Sequence, residues 1–177
     1  YIHWPFCLSK CPYCDFNSHV AQNIDHDEWA KALVTELMHH HPQTQDKTVT
    51  SVFFGGGTPS LMAPQTVDKL INAIHKHWAV ADDIEITLEA NPTSVAADKF
   101  AAFAGAGVNR ASIGVQSFND ADLRFLGREH NVDEATRAIE TAATHFDRFS
   151  FDMMYARPEQ TLEGWRDELN RALSYSV

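Results

Sequence analysis

The sequence predicts an α/β fold on a parallel sheet, and three observations carry that prediction. β-Branched and aromatic runs alternate with amphipathic helical patterns through the whole chain, and five β-then-α units can be counted in its 177 residues. The connections are short, and each return to a parallel neighbour needs a crossover, which the helices supply. Polar and conformationally special residues gather just after the strands, where ligands sit in such sheets. Periodicity leaves open whether the sheet closes.

The elements follow in order. Tyr1 to Trp4 reads as a short first strand. Asp25 and Asp27 are N-cap candidates for a helix with Trp29, Leu33 and Leu37 on one face and Ala30, Val34 and Met38 beside them. His39 to His41, as a solvated terminus, and Pro42 are expected to end it. Val49 to Phe54 is the second strand and runs into Gly55, Gly56 and Gly57. Pro64 opens a helix with Val67, Leu70, Ile71, Ile74 and Trp78 on one face. Ile84 to Leu88 is the third strand, followed by a helix from Val95 to Ala104 that Gly105 and Gly107 break. Ala111 to Val115 precedes a helix over Asp133 to Ala143. Phe149 to Met154 is the fifth strand, and Thr161 caps a helix carrying Trp165, Leu169 and Leu173.

With 44% apolar residues, the chain can bury one domain core. Its formal net charge of -10 argues against nucleic acid as a partner. No run is long enough for a transmembrane segment, and no signal-peptide pattern opens the chain. Clustered, unpaired cysteines point to a reducing compartment, hence a cytoplasmic protein. A start at Tyr1 and a stop at Val177 soon after a helical pattern lead us to expect an N-terminal piece of a longer protein.

Cys7, Cys11 and Cys14 are the only cysteines, and they lie in one short run, Phe6-Cys7-Leu8-Ser9-Lys10-Cys11-Pro12-Tyr13-Cys14. A disulfide framework would use an even number. Soft thiolates select zinc, copper(I) or iron–sulfur. A zinc knuckle would need a fourth donor, with His3 and His19 as candidates. A 4Fe–4S cluster on three thiolates leaves one iron free for chemistry.

Four other strand ends carry candidates. Gly55 to Gly57 lack the lysine of a phosphate loop and the spacing of a dinucleotide fingerprint. Beside a metal centre, their backbone groups would suit a zwitterionic amino acid. Glu89 ends the third strand together with Asn91 and reads either as a solvated carboxylate or as part of the site. Gln116 ends an apolar strand and needs partners there. Arg128 is placed either to capture a carboxylate bidentately or to pair with Glu129. Asp152, inside an apolar strand, reads as a hydroxyl acceptor.

The cysteine run, with Tyr13 before its last cysteine, resembles the cluster motif of radical S-adenosylmethionine (SAM) enzymes. Tyr1-Ile2-His3-Trp4-Pro5-Phe6-Cys7, Gly55-Gly56-Gly57-Thr58-Pro59-Ser60, Glu89-Ala90-Asn91-Pro92, Gly114-Val115-Gln116-Ser117-Phe118 and Asp152-Met153-Met154-Tyr155 resemble, in order, the oxygen-independent coproporphyrinogen III oxidase family. The resemblance implies a partial, TIM-like (β/α)6 barrel, with residues 1–177 as its radical SAM core. It implies a 4Fe–4S cluster on Cys7, Cys11 and Cys14 and SAM on the fourth iron. In that picture Gly56, Gly57 and Thr58 meet the methionyl end and Arg128 its carboxylate. Gln116 and Asp152 reach the ribose, Tyr13 lies against the adenine, Glu89 joins the pocket and Tyr1 sits near the cluster. One electron from the cluster, reduced by an external donor, would then cleave the sulfonium C–S bond and release a 5′-deoxyadenosyl radical.

One departure divides the family. Its dehydrogenase branch carries a further cysteine two residues after the third, where this chain has Phe16. The resemblance thus leans to the HemW-like heme-chaperone branch, which implies heme as a further ligand and a heme-accepting apo-protein as partner. The alternatives are a coproporphyrinogen III dehydrogenase of porphyrin biosynthesis and a zinc-binding interaction module.

Overall fold

The computed structural model describes residues 1–175. Its frame is a five-stranded parallel sheet formed by β1 (Ile2–Trp4), β4 (Thr48–Gly56), β5 (Ala79–Ala90), β6 (Arg110–Gln116) and β7 (Arg148–Met153). The strands lie in chain order, so each crossover adds its strand to the same edge. That is how a barrel wall winds, and it differs from a doubly wound sheet, whose order reverses midway. The register sets Trp4 beside Gly56, Phe54 beside Leu88 and Ile113 beside Phe151. A separate two-stranded ribbon pairs β2 (Phe6–Cys7) with β3 (His19–Val20).

The core lies between this sheet and the helices that cover it. Trp4, Phe54, Leu88 and Ile113 are fully buried on the strands. Against them pack Val67, Leu70, Ile71 and Ile74 of α2 (Pro64–His77) and Ala135, Ala138, Ile139 and Ala142 of α6 (Val132–His145). The alanines let α6 approach the sheet closely. The helix starts are chemically explicit. Asp25 accepts from the amides of Asp27 and Glu28 to open α1 (His26–Thr44), Asn131 and Glu134 form a capping box, and the Thr161 hydroxyl accepts from Gly164 at the start of α7 (Leu162–Leu173).

Several boundaries differ from the expectation. α1 runs through the histidines and Pro42 to Thr44. Proline there costs one hydrogen bond in the last turn. Tertiary contacts hold that turn: His41 Nε2 lies 2.9 Å from the His77 carbonyl, and the Trp78 indole donates to Thr44 Oγ1 at 3.0 Å. Trp78 itself is extended and lies past the end of α2. β5 begins at Ala79 and pairs with β4 across a register shift, so its polar Asp82 and Asp83 conceal its first half. The expected helix from Val95 is two pieces, α3 (Ser94–Ala97) and α4 (Phe100–Gly105). Between them the Lys99 ammonium donates to the carbonyls of Ser60, Leu61 and Met62 at 3.4 Å each. A short helix, α5 (Asp120–Phe125), follows β6 and is too brief for periodicity to reveal. On α7, Ala172 is the buried residue, while Leu169 and Leu173 are exposed.

Candidate functional site

The cysteines leave β1 through the β2–β3 ribbon. The Ala21 amide donates to the Cys7 carbonyl at 3.1 Å, and the Cys14 amide to the Cys11 carbonyl at 3.0 Å, which closes the loop into a turn. Cys7 is buried, Cys11 and Cys14 are half-buried, and all three are free thiols. Among the described residues no three His, Cys, Asp or Glu side chains are gathered as ligands of a single metal ion. A 4Fe–4S cube takes one sulfur per iron corner, and so asks for thiolates around a cavity.

The glycine run lies against this loop. The amides of Gly57 and Thr58 donate to the carbonyls of Trp4 (2.6 Å) and Phe6 (2.8 Å), and the Gly56 amide donates to Glu89 Oε2 at 3.3 Å. These amides are therefore spent inside the protein, against the expectation of free donors for a zwitterion. Glycine is required by approach: a Cβ on Gly57 would stand 2.6 Å from the Phe6 carbonyl, and Gly56 has φ of +115°. Thr58 presents its hydroxyl to Cys7 Sγ at 3.4 Å.

Arg128 closes the opposite wall. Its Nη2 donates to Asn91 Oδ1 at 2.7 Å and to the Gly114 carbonyl at 2.9 Å. Its Nη1 lies 3.4 Å from Cys11 Sγ and 3.3 Å from the Tyr13 hydroxyl, and its Nε is buried without a partner. Asn91 Nδ2 also donates to Thr58 Oγ1 at 3.4 Å. A chain of polar contacts thus runs from Cys7 through Thr58, Asn91 and Arg128 to Cys11.

One cavity of about 200 Å³ lies at the strand ends; of the residues to which the resemblance gives a role all but Tyr1 line it, while Gly55 and the zinc-donor candidates His3 and His19 do not. Gln116 reaches it from the end of β6 with φ of +68°, and Asp152 from β7. Tyr1 stands outside, 76% exposed, stacked on Phe53 with its hydroxyl 3.1 Å from His3 Nδ1. Burial raises the Glu89 carboxyl above its ordinary range; the Gly56 amide opposes this and nearby Asp152 adds to it. Burial likewise raises the Tyr13 phenol, against the lowering influence of Arg128. The sequence places Asn91 at the rim beside Glu89 but does not reveal its role in holding Arg128. Its signal was weak: an amide just before Pro92, at a strand end.

The donor chemistry fits a cluster and a charged cofactor. Three soft thiols face the cavity, and a guanidinium with one unused N–H stands across from them. A singly wound parallel array with this rim is a partial α/β barrel with a candidate cofactor site at its strand ends. A sequence model of the Radical SAM superfamily matches residues 1–172. The chain belongs to that superfamily, which implies a 4Fe–4S cluster and SAM. It is 42% identical over 175 residues to heme chaperone HemW of Escherichia coli, covering 98% of this chain and 46% of that protein. It is also 42% identical over 174 residues to radical S-adenosyl methionine domain-containing protein 1, mitochondrial, of Mus musculus, covering 98% of this chain and 39% of that one. Among solved structures, coproporphyrinogen III oxidase (HemN) of Escherichia coli, a radical SAM enzyme, superposes with a TM-score of 0.86. That match has 28% identity and covers 98% of this chain and 41% of the oxidase. The fold is thus the partial barrel expected. This chain spans less than half the length of these relatives. No helix among the described residues is long and apolar enough to cross a membrane.

Proposed function

We propose that residues 1–177 are the cluster- and SAM-binding core of a heme chaperone, which in its whole form binds heme and delivers it to an apo-protein. The observation that carries this reading is the cysteine loop: three thiols on one cavity, with Phe16 at its lining where the dehydrogenase branch has a fourth cysteine. The identity to proteins named heme chaperones supports it. The reducing compartment that free clustered thiols require favours a cytoplasmic setting.

In this reading Cys7, Cys11 and Cys14 hold three irons of the cluster. Arg128, which lines the cavity, pairs its guanidinium charge with the SAM carboxylate. Gln116 and Asp152 face the ribose from adjacent strands, and Glu89, held by the Gly56 amide, borders the same pocket. When bound, cluster and SAM supply one-electron chemistry from an external donor; the protein supplies orientation and shelter.

The second reading is oxidative decarboxylation of coproporphyrinogen III, favoured by the likeness to the oxidase structure. Anaerobic incubation of the full-length protein with SAM, reductant and coproporphyrinogen III separates the two. Heme retention and transfer to an apo-protein without protoporphyrinogen formation supports the chaperone. Turnover to protoporphyrinogen overturns it.

A further inference from the structure

Arg157 is 8% exposed, in the loop between β7 and α7. Its Nη2 donates to Asp122 Oδ2 at 3.1 Å and to Glu168 Oε2. Its Nη1 donates to the carbonyls of Met154 (2.7 Å) and Gln116 (3.4 Å). The Glu168 side chain is 9% exposed against 5% for Arg157, and its Oε1 accepts from the Ser117 hydroxyl at 2.5 Å and the Phe118 amide at 2.8 Å. The ends of β6 and β7 are thereby tied to α5 and α7.

These bonds converge on one strained stretch. Gln116 has φ of +68°, a conformation that costs an L side chain energy and persists only where its surroundings enforce it. Ala156 and Glu159, in the loop that carries Arg157, share the left-handed region at +59° and +61°. The Gln116 carbonyl accepts from the Met154 amide at 2.9 Å as well as from Arg157. The next two residues are held by Glu168. Stability alone is a weak reason to bury such an ion pair, because apolar side chains of equal volume often serve as well.

We propose that Arg157 and Glu168 are positioning residues: a buried ion pair outside the cavity that fixes the left-handed backbone of Gln116 and so aims its side chain into the cofactor pocket. The pair touches no ligand, and the inference rests on the SAM reading of that pocket.

The test is a double-mutant cycle in the full chain, reconstituted without air and read by SAM equilibrium dialysis. Glu168→Gln keeps the shape and loses the charge; SAM affinity should fall about 3- to 30-fold with iron content unchanged. In a Gln116→Ala background the same substitution should change affinity by about 2-fold or less. Ser117→Ala, a smaller deletion, should shift affinity in the same direction if Glu168→Gln does not fold. Unchanged SAM affinity beside a lowered melting temperature overturns the clamp, as does a fully additive loss. If the wild-type chain binds no SAM, the cofactor reading fails by itself. Hydrogen exchange then decides the clamp: faster exchange across residues 116–118 in Arg157→Lys supports it, and unchanged exchange overturns it.

Discussion

Asn91 Oδ1 accepts from Arg128 Nη2 at 2.7 Å, joining the end of β5 to a residue 37 positions later that borders the Cys11 thiol. Such a bond to a charged donor is worth about 1.5–3 kcal/mol. It holds the guanidinium at a height where it reaches both the Gly114 carbonyl and the cysteine loop. Asn91→Ala should therefore weaken SAM binding while leaving the thiols in place. Calorimetric titration of the reconstituted protein checks this; unchanged affinity would show that Arg128 orients itself without Asn91.

Arg128→Ala removes the cation meant for the SAM carboxylate. SAM affinity should drop by roughly 1.5–3 kcal/mol, again measured on protein with full iron content. A value equal to wild type would reduce Arg128 to a structural residue.

Gly127 has φ of +66°, and a Cβ there would stand 2.6 Å from Pro12 Cδ in the cysteine loop. Gly127→Ala should cost about 1–3 kcal/mol from backbone strain, and more from overlap with the proline ring. Urea unfolding reads the loss, and cluster assembly should become less efficient because the loop is pushed away. Full stability in Gly127→Ala would mean the loop yields freely.

Acid should destabilise this protein through two groups. Burial raises the Glu168 carboxyl, but hydrogen bonds from Arg157, Ser117 and the Phe118 amide outweigh it and hold the group below its ordinary 4.5. Its contribution is present above that value and is lost as pH falls through the depressed one. Burial, then the Arg128 charge, lowers His130 from 6.5 to about 4. Between those values the unfolded chain takes up a proton that the folded one refuses. Stability therefore falls across that window, by roughly 3 kcal/mol when complete. Urea titrations at pH 7 and pH 5 should show the drop, and His130→Gln should lessen it. Equal stability of the wild type at both pH values would contradict this.

Local chemistry was legible in the sequence and long-range contact was not. Pro64, Asp25 and Thr161 announce helix starts because proline and short oxygen-bearing side chains act on the next few amides. The cysteine spacing likewise declares itself within eight residues. Pro42 misled because the groups that hold the last turn of α1 come from residues 77 and 78. Asn91 could be placed at a strand end but given no role, because its partners Arg128 and Thr58 are not near it in sequence. Free amides along the glycine run were expected because sequence does not reveal that the Trp4 carbonyl takes the Gly57 amide and the Glu89 carboxylate the Gly56 amide.

The central claim is that three thiols of one loop hold an iron–sulfur cluster open to SAM. The most direct measurement is iron, sulfide and zinc content, with electron paramagnetic resonance, of the anaerobically reconstituted chain and of Cys11→Ala, with and without SAM. We expect about four irons and four sulfides per wild-type chain, a reduced-cluster signal that changes when SAM is added, and loss of stable cluster in Cys11→Ala. Bound zinc in place of iron, or a reduced cluster whose signal ignores SAM, would contradict it.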